Sequence, residues 1–187
     1  MICVIMNTGF WIFAAGIIVV LACLSYVIKT SNAIKAAENK VRELDSDVEA
    51  ALTKRYDLLT KQYAAVKKYM TYESSTFFDA IKLRKGMTLA EKTEVCKTMR
   101  SASERINAVL EAYPELSASK NIEVLQNSCT NAEDHLQAAR RLYNAGVTNY
   151  NNLCSQFPSS IIAAMTGHHE ADYYKSELDK KSDVTFD

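Results

Sequence analysis

The sequence opens with a long apolar stretch that has no charged side chain before Lys29. Residues 9–28 of this stretch number 20, and as a helix they span about 30 Å, the thickness of a bilayer's hydrocarbon core. Phe10 and Trp11 mark one end of the run and Tyr26 the other, at the levels where amphipathic rings favour the membrane interface. The pattern predicts a transmembrane helix over residues 9–28, after a short N-terminus over residues 1–8.

Two alternative interpretations apply to the apolar stretch. A cleaved signal peptide has a shorter apolar core and a basic region before it, and this sequence has neither. A lipoprotein site is suggested by Val20-Leu21-Ala22-Cys23, but the residues after Cys23 remain apolar. Gly9, Gly16 and Cys23 recur every seven residues, which indicates either a face for close helix–helix approach or chance clustering of small residues.

Charge asymmetry around the span predicts its orientation. Lys29, Lys35 and Lys40 follow the apolar run, and no charged side chain precedes it. By the positive-inside rule, we expect a single-pass membrane protein whose short N-terminus is outside and whose remaining chain is cytoplasmic.

The chain after the span carries helical periodicity in three long segments. Apolar residues fall mostly three or four positions apart, which predicts one buried stripe on each helix. A succession of two four-residue steps near Val48, Leu52 and Tyr56 predicts a local relaxation of the supercoil. The first segment has Ile34, Ala37, Val41, Leu44, Val48, Leu52, Leu59, Tyr63, Val66 and Met70; the second has Leu89, Cys96, Met99, Ile106, Val109 and Leu110; the third has Ile122, Leu125, Cys129, Ala132, Leu136, Ala139, Tyr143, Gly146, Tyr150, Leu153 and Phe157.

Local signals predict where these helices begin and end. Thr88 and Glu91 have the spacing of a capping box, so the second long helix should begin there and end before Pro114. Pro158 should end the third helix and open a short one. We therefore predict an all-α protein with an antiparallel, coiled-coil-like bundle of three to four helices over residues 29–166, and a polar, disordered tail over residues 167–187.

Composition supports this architecture and excludes some classes of function. Only two prolines and five glycines interrupt the chain, and 22 basic residues balance 22 acidic ones, so nucleic-acid binding is not expected. The five cysteines show no metal-ligand spacing, and we interpret Cys96, Cys129 and Cys154 as buried thiols.

The residue patterns of common catalytic sites are also absent from the sequence. No Glu-x-x-His motif of a di-iron bundle occurs, and no glycine-rich phosphate loop or nucleophile elbow is present. His135 is expected to be a packed or solvated side chain, although a ligand role is the alternative. His168, His169, Glu170 and Asp172 have ligand types for a metal ion but are expected to bind nothing specific. We therefore expect no enzyme activity, no cofactor and no metal.

Several short motifs along the chain carry a family resemblance. They are Tyr113-Pro114-Glu115-Leu116, Arg55-Tyr56-Asp57-Leu58, Arg140-Arg141-Leu142-Tyr143-Asn144, Tyr150-Asn151 and Phe157-Pro158-Ser159. With these motifs the chain resembles the LemA family of bacterial single-pass membrane proteins. The resemblance covers most of the chain and implies an inner-membrane protein with an N-terminal membrane helix and a long-helix bundle without catalytic residues; some family members are associated with a membrane zinc metalloprotease. The family's Ile-Pro-Asn-Leu is replaced by Leu59-Thr60-Lys61-Gln62, which puts a proline kink in the first helix in doubt.

The leading functional prediction is a membrane-anchored scaffold that self-associates or docks a membrane partner. The alternative is a membrane-tethered sensor, in which the bundle binds a small ligand and signals through the first helix. Two sets of residues are the candidates: Arg55, Tyr56, Asp57, Arg140, Arg141, Tyr143, Asn144, Tyr150, Asn151, Phe157 and Pro158 for packing or interaction, and Gly9, Trp11, Gly16, Cys23 and Tyr26 for the anchor.

Overall fold

Every regular element of the described chain is helical, which confirms the predicted all-α class. The structure is a computed structural model; it describes the backbone of residues 2–70, 81, 83, 84 and 86–174, and side chains from Trp11 onward apart from Ile12. The elements are α1 (Ile2–Val66), a 3-10 turn (Lys67–Tyr69), α2 (Leu89–Ala112), α3 (Pro114–Ser117), α4 (Lys120–Ser155) and α5 (Ser159–Thr166).

The chain divides into two compact units. The N-terminal unit consists of residues 1–41 and 147–171, and the central unit consists of residues 42–146 and 172–187. Helices α1 and α4 contribute residues to both units.

Helix α1 runs for 65 residues without a break. It begins at Ile2 and so includes described residues of the short N-terminus predicted before the span. Among the described helices, α1 is the one long and apolar enough to cross a membrane, judged by length and composition. Large apolar side chains from Ile17 to Ile28 are exposed, as expected for a surface that faces lipid rather than a protein core.

The core of the central unit is built from one stripe on each of α1, α2 and α4. Leu59 and Val66 of α1 pack with Met99 and Ile106 of α2 and with Ile122 of α4. The predicted stripe on α1 is largely correct, but Arg55 and Gln62 are buried where the apolar pattern indicated Tyr56 and Tyr63. The buried positions 48, 52, 55, 59, 62 and 66 alternate steps of four and three, so the two successive four-residue steps fall at Leu44, Val48 and Leu52.

The start of α2 has the predicted capping box. The Glu91 amide donates to the Thr88 hydroxyl over 3.3 Å, and the Thr88 amide donates to the Glu91 carboxylate over 2.8 Å. These bonds satisfy amides that have no partner within the first helical turn. At the other end, α2 stops at Ala112, directly before Tyr113 and Pro114, as predicted.

The N-terminal unit has a smaller core in which α5 packs against α1. Ile162 and Ala163 of α5 are buried with Ile34 and Ala37 of α1 and with Tyr150 of α4. The predicted stripe of the third segment places Phe157 in the core, but its side chain is 82% exposed. The cause is that α4 ends at Ser155, so the helical period no longer determines where Phe157 points.

The segment after α5 differs from the predicted disordered tail. Residues 168–174 are not helical, but Tyr174 is buried and the backbone of Ala171 and Tyr174 is hydrogen-bonded to side chains of α4. The rest of the predicted tail, residues 175–187, lies outside the described residues. Polar composition alone did not reveal the partners that hold residues 168–174.

Candidate functional site

A cleft in the central unit is lined by α1, α2 and α4 and has a volume of about 670 Å³. At its wall, the guanidinium of Arg55 lies 2.5 Å from the carboxylate of Glu133 on α4. Gln62 also lines the cleft and is 2% exposed, and its side-chain oxygen has no hydrogen-bond partner among the described residues. The cleft therefore combines an ion pair between helices with an unsatisfied hydrogen-bond acceptor.

The balance of charge around this cleft is negative. Its lining contains two basic residues, Arg55 and Arg100, and four acidic ones, which are Glu104, Glu111, Glu133 and Asp134. Excess carboxylate and a free amide oxygen favour ligands that are cationic and carry N–H groups.

A second polar cluster of the central unit surrounds Lys92. The Lys92 side chain is 1% exposed, and its ammonium lies 2.7 Å from the carboxylate of Asp45 and 3.0 Å from that of Glu49. Because a buried ammonium without a counter-ion is strongly disfavoured, the two carboxylates of α1 fix the position of α2 at this level. The arrangement is a structural ion triad.

The predicted residues Arg140 and Tyr143 lie beside Tyr174 of the C-terminal segment. The Tyr143 and Tyr174 rings pack edge to face with centroids 5.0 Å apart, and the Arg140 guanidinium lies 5.6 Å from the Tyr174 ring centre. The Tyr143 hydroxyl donates to the carbonyl of Asp172 over 3.3 Å. Burial and the nearby charge of Asp45 raise the pKa of both tyrosines above the usual value, so both rings stay neutral.

Two predicted asparagines of α4 bind the backbone of the segment after α5. In the central unit, the Asn144 side chain accepts from the Tyr174 amide over 2.8 Å and donates to its carbonyl over 2.9 Å. In the N-terminal unit, Asn151 makes the same pair of bonds with Ala171, over 2.8 Å and 3.0 Å. A carboxamide is suited to this role because it offers one acceptor and two donors side by side. Each asparagine thus bonds both the amide and the carbonyl of one backbone residue, as a neighbouring β-strand would do.

The other predicted interaction residues are divided between core and surface. Tyr150 is buried in the core of the N-terminal unit, and Tyr56 is half-buried against the core of the central unit. Asp57 and Arg141 are exposed, and so are Phe157 and Pro158. Of the anchor candidates, Trp11, Gly16, Cys23 and Tyr26 lie on α1 and all four are exposed; the surroundings of Gly9 lie outside the described residues.

The thiols of the central unit are shielded rather than activated. Burial raises the pKa of the Cys96 thiol, against the opposing positive charges of Arg140 and Arg55, and burial likewise raises the pKa of Cys129. A raised pKa keeps sulfur in the less reactive thiol form.

The histidine-rich end of the chain shows no ligand geometry in its described part. His168 lies 3.5 Å from the Glu38 carboxylate, and its ring nitrogen lies 2.8 Å from the Thr166 hydroxyl. The part of the chain that the structure describes contains no group of three metal-ligating side chains.

Sequence reasoning missed Lys92, Gln62 and Glu133. A signal was available for two of them. Lys92 lies four residues before Cys96, and Gln62 lies four before Val66, so each lies on the same helix face as a predicted buried residue. No signal in the sequence shows that Glu133 pairs with Arg55, because the two residues are far apart in the chain.

Comparison with known proteins matches most of the chain to one protein family. The model of the LemA family matches residues 45–187. Two relatives from Paramagnetospirillum magneticum, magnetosome proteins MamQ 1 and MamQ 2, are each 29% identical over 73 residues, which is 39% of this chain. The match covers 27% of the length of each of these relatives.

These findings support a membrane-associated helical protein, with α1 as its candidate membrane helix. The family match extends over well more than half of the chain and includes almost all of the central unit, α5 and the segment that the asparagines hold. The chain belongs to the LemA family.

Proposed function

We propose that this protein is a membrane-anchored helical scaffold that self-associates or docks a membrane partner and has no catalytic activity of its own. One observation carries the proposal: the uninterrupted helix α1 supplies both the membrane-length apolar span and the buried stripe of the bundle. In this helix no turn separates the apolar span from the buried stripe.

In the proposed orientation the span crosses the inner membrane once and the bundle is cytoplasmic. The basis is Lys29, Lys35 and Lys40 after the span. A cysteine placed at exposed Asn32, in a chain whose native cysteines are serine, should react with a membrane-impermeant thiol reagent only after the cells are opened. Reaction of Asn32→Cys in intact spheroplasts, with Asn7→Cys protected, would reverse the proposed orientation.

Self-association is proposed to use the small-residue face of the span. Gly16 has no neighbouring atom within 4 Å of where a Cβ would lie, so a larger side chain fits within one chain. A loss of association in Gly16→Leu therefore reports on contact with another helix. In mild detergent, light scattering should show that Gly16→Leu lowers the oligomer mass while Val19→Leu does not. A strictly monomeric wild-type chain, with no reproducible cross-link to any membrane protein, would contradict the scaffold proposal.

A docked membrane partner is the other form of the same proposal. The two magnetosome relatives favour a role at membranes, and the LemA resemblance suggests a membrane zinc metalloprotease as one partner. A photo-cross-linker at exposed Leu142 or Arg141, compared with one at buried Leu136, would identify a protein that touches the bundle surface in intact cells.

A second candidate function is a ligand sensor, favoured by the cleft that Arg55, Gln62 and Glu133 line. Its volume lies within the usual range for small-ligand sites, roughly 300 to 1,000 Å³. Its negative lining selects a cationic ligand with several N–H groups, such as a linear polyamine. In a thermal-shift assay, spermidine should raise the melting temperature more than a matched ionic strength of sodium chloride does. Replacing Glu104 and Asp134 by Gln and Asn should remove this difference, and a wild-type chain without it would count against the sensor.

A further inference from the structure

The short helix α5 presents an apolar face that no described part of the protein covers. Ile162 and Ala163 point into the core of the N-terminal unit, whereas Ile161 is 54% exposed and Met165 is 80% exposed. These two side chains are one helical turn apart and thus share a face. Phe157, just before the helix, is also exposed.

The composition of this region distinguishes it from an ordinary surface helix. No charged residue occurs from Phe157 to Gly167, although about a quarter of the chain is charged. A helix that faces water normally carries charged residues opposite its buried face. Here the exposed face of α5 is apolar and the remaining polar groups are small hydroxyls.

The position of α5 on α1 indicates what covers this face. Helix α5 packs on α1 at Ile34 and Ala37, and Ile34 follows the last apolar residue of the span, Ile28, by six residues. At about 1.5 Å per residue, Ile34 lies about 9 Å and Ala37 about 14 Å beyond the end of the span, and α5 packs at this level. The headgroup region occupies about 5 to 8 Å on each side of the hydrocarbon core, and a helix with its side chains is about 10 to 12 Å wide. The exposed side chains of α5 are thus within reach of the headgroup layer.

We infer that α5 is an interfacial helix, which inserts Phe157, Ile161 and Met165 into the headgroup and upper acyl region of the membrane that α1 spans. Apolar side chains on a helix without anionic residues enter this layer readily, and no charge has to be desolvated. The occupant is lipid rather than a second protein, because α5 packs on α1 only six to nine residues after the end of the apolar span, within one compact unit. The second membrane contact fixes the depth and the rotation of α1. This inference rests on the proposed insertion of α1.

Tryptophan fluorescence tests the inference, because Trp11 is the only tryptophan in the chain. The wild-type protein reports on the span itself. A second reporter combines Trp11→Phe with Met165→Trp, and a matched control combines Trp11→Phe with Val124→Trp, an exposed apolar position on α4 in the central unit. All three are reconstituted as full chains in phosphatidylcholine vesicles with bromine either near the glycerol end or near the methyl end of the acyl chains.

The expected result is emission from residue 165 that is shifted to the blue and quenched severalfold more by bromine near the glycerol end than by bromine near the methyl end. The Val124 reporter should be quenched by aqueous acrylamide and by neither lipid. Adding Phe157→Ser and Ile161→Ser to the residue 165 reporter should reduce its lipid quenching severalfold, with an unchanged helical circular dichroism spectrum. Such a result supports α5 as a membrane contact.

Three results would overturn the inference and are distinguishable. Acrylamide quenching at residue 165 equal to that at residue 124, while Trp11 is quenched by lipid, would leave the anchor intact and place α5 in water. Protection of residue 165 that disappears on dilution of protein into excess lipid would assign the face to a second copy. If Trp11 were not quenched by either lipid, the proposed membrane insertion of α1 would be wrong, and the interfacial position of α5, which depends on it, would be wrong too.

Discussion

Lys92 shows how a single side chain fixes the packing of two helices. Its ammonium is almost completely buried and is held by Asp45 and Glu49, whose side chains remain 39% and 25% exposed. Removal of the ammonium leaves two carboxylates next to each other without a counter-ion, together with a cavity where the lysine stem was. The partial exposure of the carboxylates allows water to reduce the cost.

We expect Lys92→Ala to lower the free energy of unfolding by about 2 to 4 kcal/mol. The matched control is Lys97→Ala on the same helix, since Lys97 pairs with Glu94 at the surface, and it should cost less than about 0.5 kcal/mol. Urea unfolding of the full chain in mild detergent, followed by circular dichroism, measures both. Equal effects of the two substitutions would mean that the Lys92 triad contributes no more than a surface pair.

Asn144 and Asn151 make a second prediction at the residue scale. Asn144→Asp retains the acceptor for the Tyr174 amide but replaces the donor to its carbonyl by a second oxygen, which repels it. We expect hydrogen exchange of the Tyr174 amide to become at least about tenfold faster.

The exposed neighbour Asn149→Asp should leave that exchange rate unchanged, because Asn149 lies on the solvent face of α4. Asn151→Asp should accelerate exchange at Ala171. If Asn144→Asp and Asn149→Asp gave the same rates, the segment would be held by the packing of Tyr174 rather than by the side-chain amide.

At the scale of elements, the position of a helix end depends on residues close to it in the sequence, whereas the burial of a helix face depends on the elements packed against it. The capping box of α2 was identifiable from Thr88 and Glu91, because both bonds join residues three apart. The backbone bond from Thr88 and the contact with Arg84 lower the pKa of Glu91, so the carboxylate stays charged in mildly acidic solution. This charge also suits the positive end of the helix dipole.

Thr88→Ala should destabilise the protein by about 1 kcal/mol, because the first turn of α2 loses the hydroxyl that accepts from the Glu91 amide. Thr88→Ser retains the acceptor and should cost only a few tenths of a kcal/mol. Thermal unfolding of the two variants side by side gives the difference. A loss of the same size in Thr88→Ser would attribute the effect to the lost methyl group instead of the cap.

At the scale of the whole molecule, the stability at alkaline pH depends on buried tyrosines and cysteines of the central unit that are neutral at pH 7. Tyr143 and Tyr174 have raised pKa values from an ordinary 10.0, and Cys96 and Cys129 from an ordinary 9.0. Each group is neutral when protonated, so the folded protein retains protons at a pH where the unfolded chain has lost them. The unfolding free energy should therefore be constant from neutral pH to about pH 8.5 and fall steadily above pH 9 to 10.

Tyr174→Phe should make the free energy of unfolding fall less steeply at alkaline pH, because it removes the group whose pKa is raised most. At neutral pH the same substitution should be neutral or stabilising, since the buried Tyr174 hydroxyl has no hydrogen-bond partner among the described residues. Tyr173→Phe changes an exposed ring and serves as the control. A decline as steep in Tyr174→Phe as in the wild type would assign the alkaline loss to other groups.

The sequence by itself determined the helical class, the family, the length of the apolar span and the ends of α2. These features depend on residues close together in the chain: the period of apolar positions, the capping box, Pro114 and Pro158. The resemblance also singled out Arg140, Tyr143, Asn144 and Asn151 before any contact of theirs was visible.

Only the tertiary structure decided which polar residues are buried and which apolar ones are not. Lys92, Arg55 and Gln62 lie in buried stripes. Lys92 pairs there with Asp45 and Arg55 with Glu133, both far away in the sequence, and Gln62 is covered by other helices. Residues 168–174 are ordered because the asparagines of α4 replace the backbone partners that a polar segment lacks on its own. Phe157 is exposed because α4 ends before it. Local periodicity indicates which positions face the core, but it does not show which polar side chains find a distant partner there or where a helix surface is left uncovered.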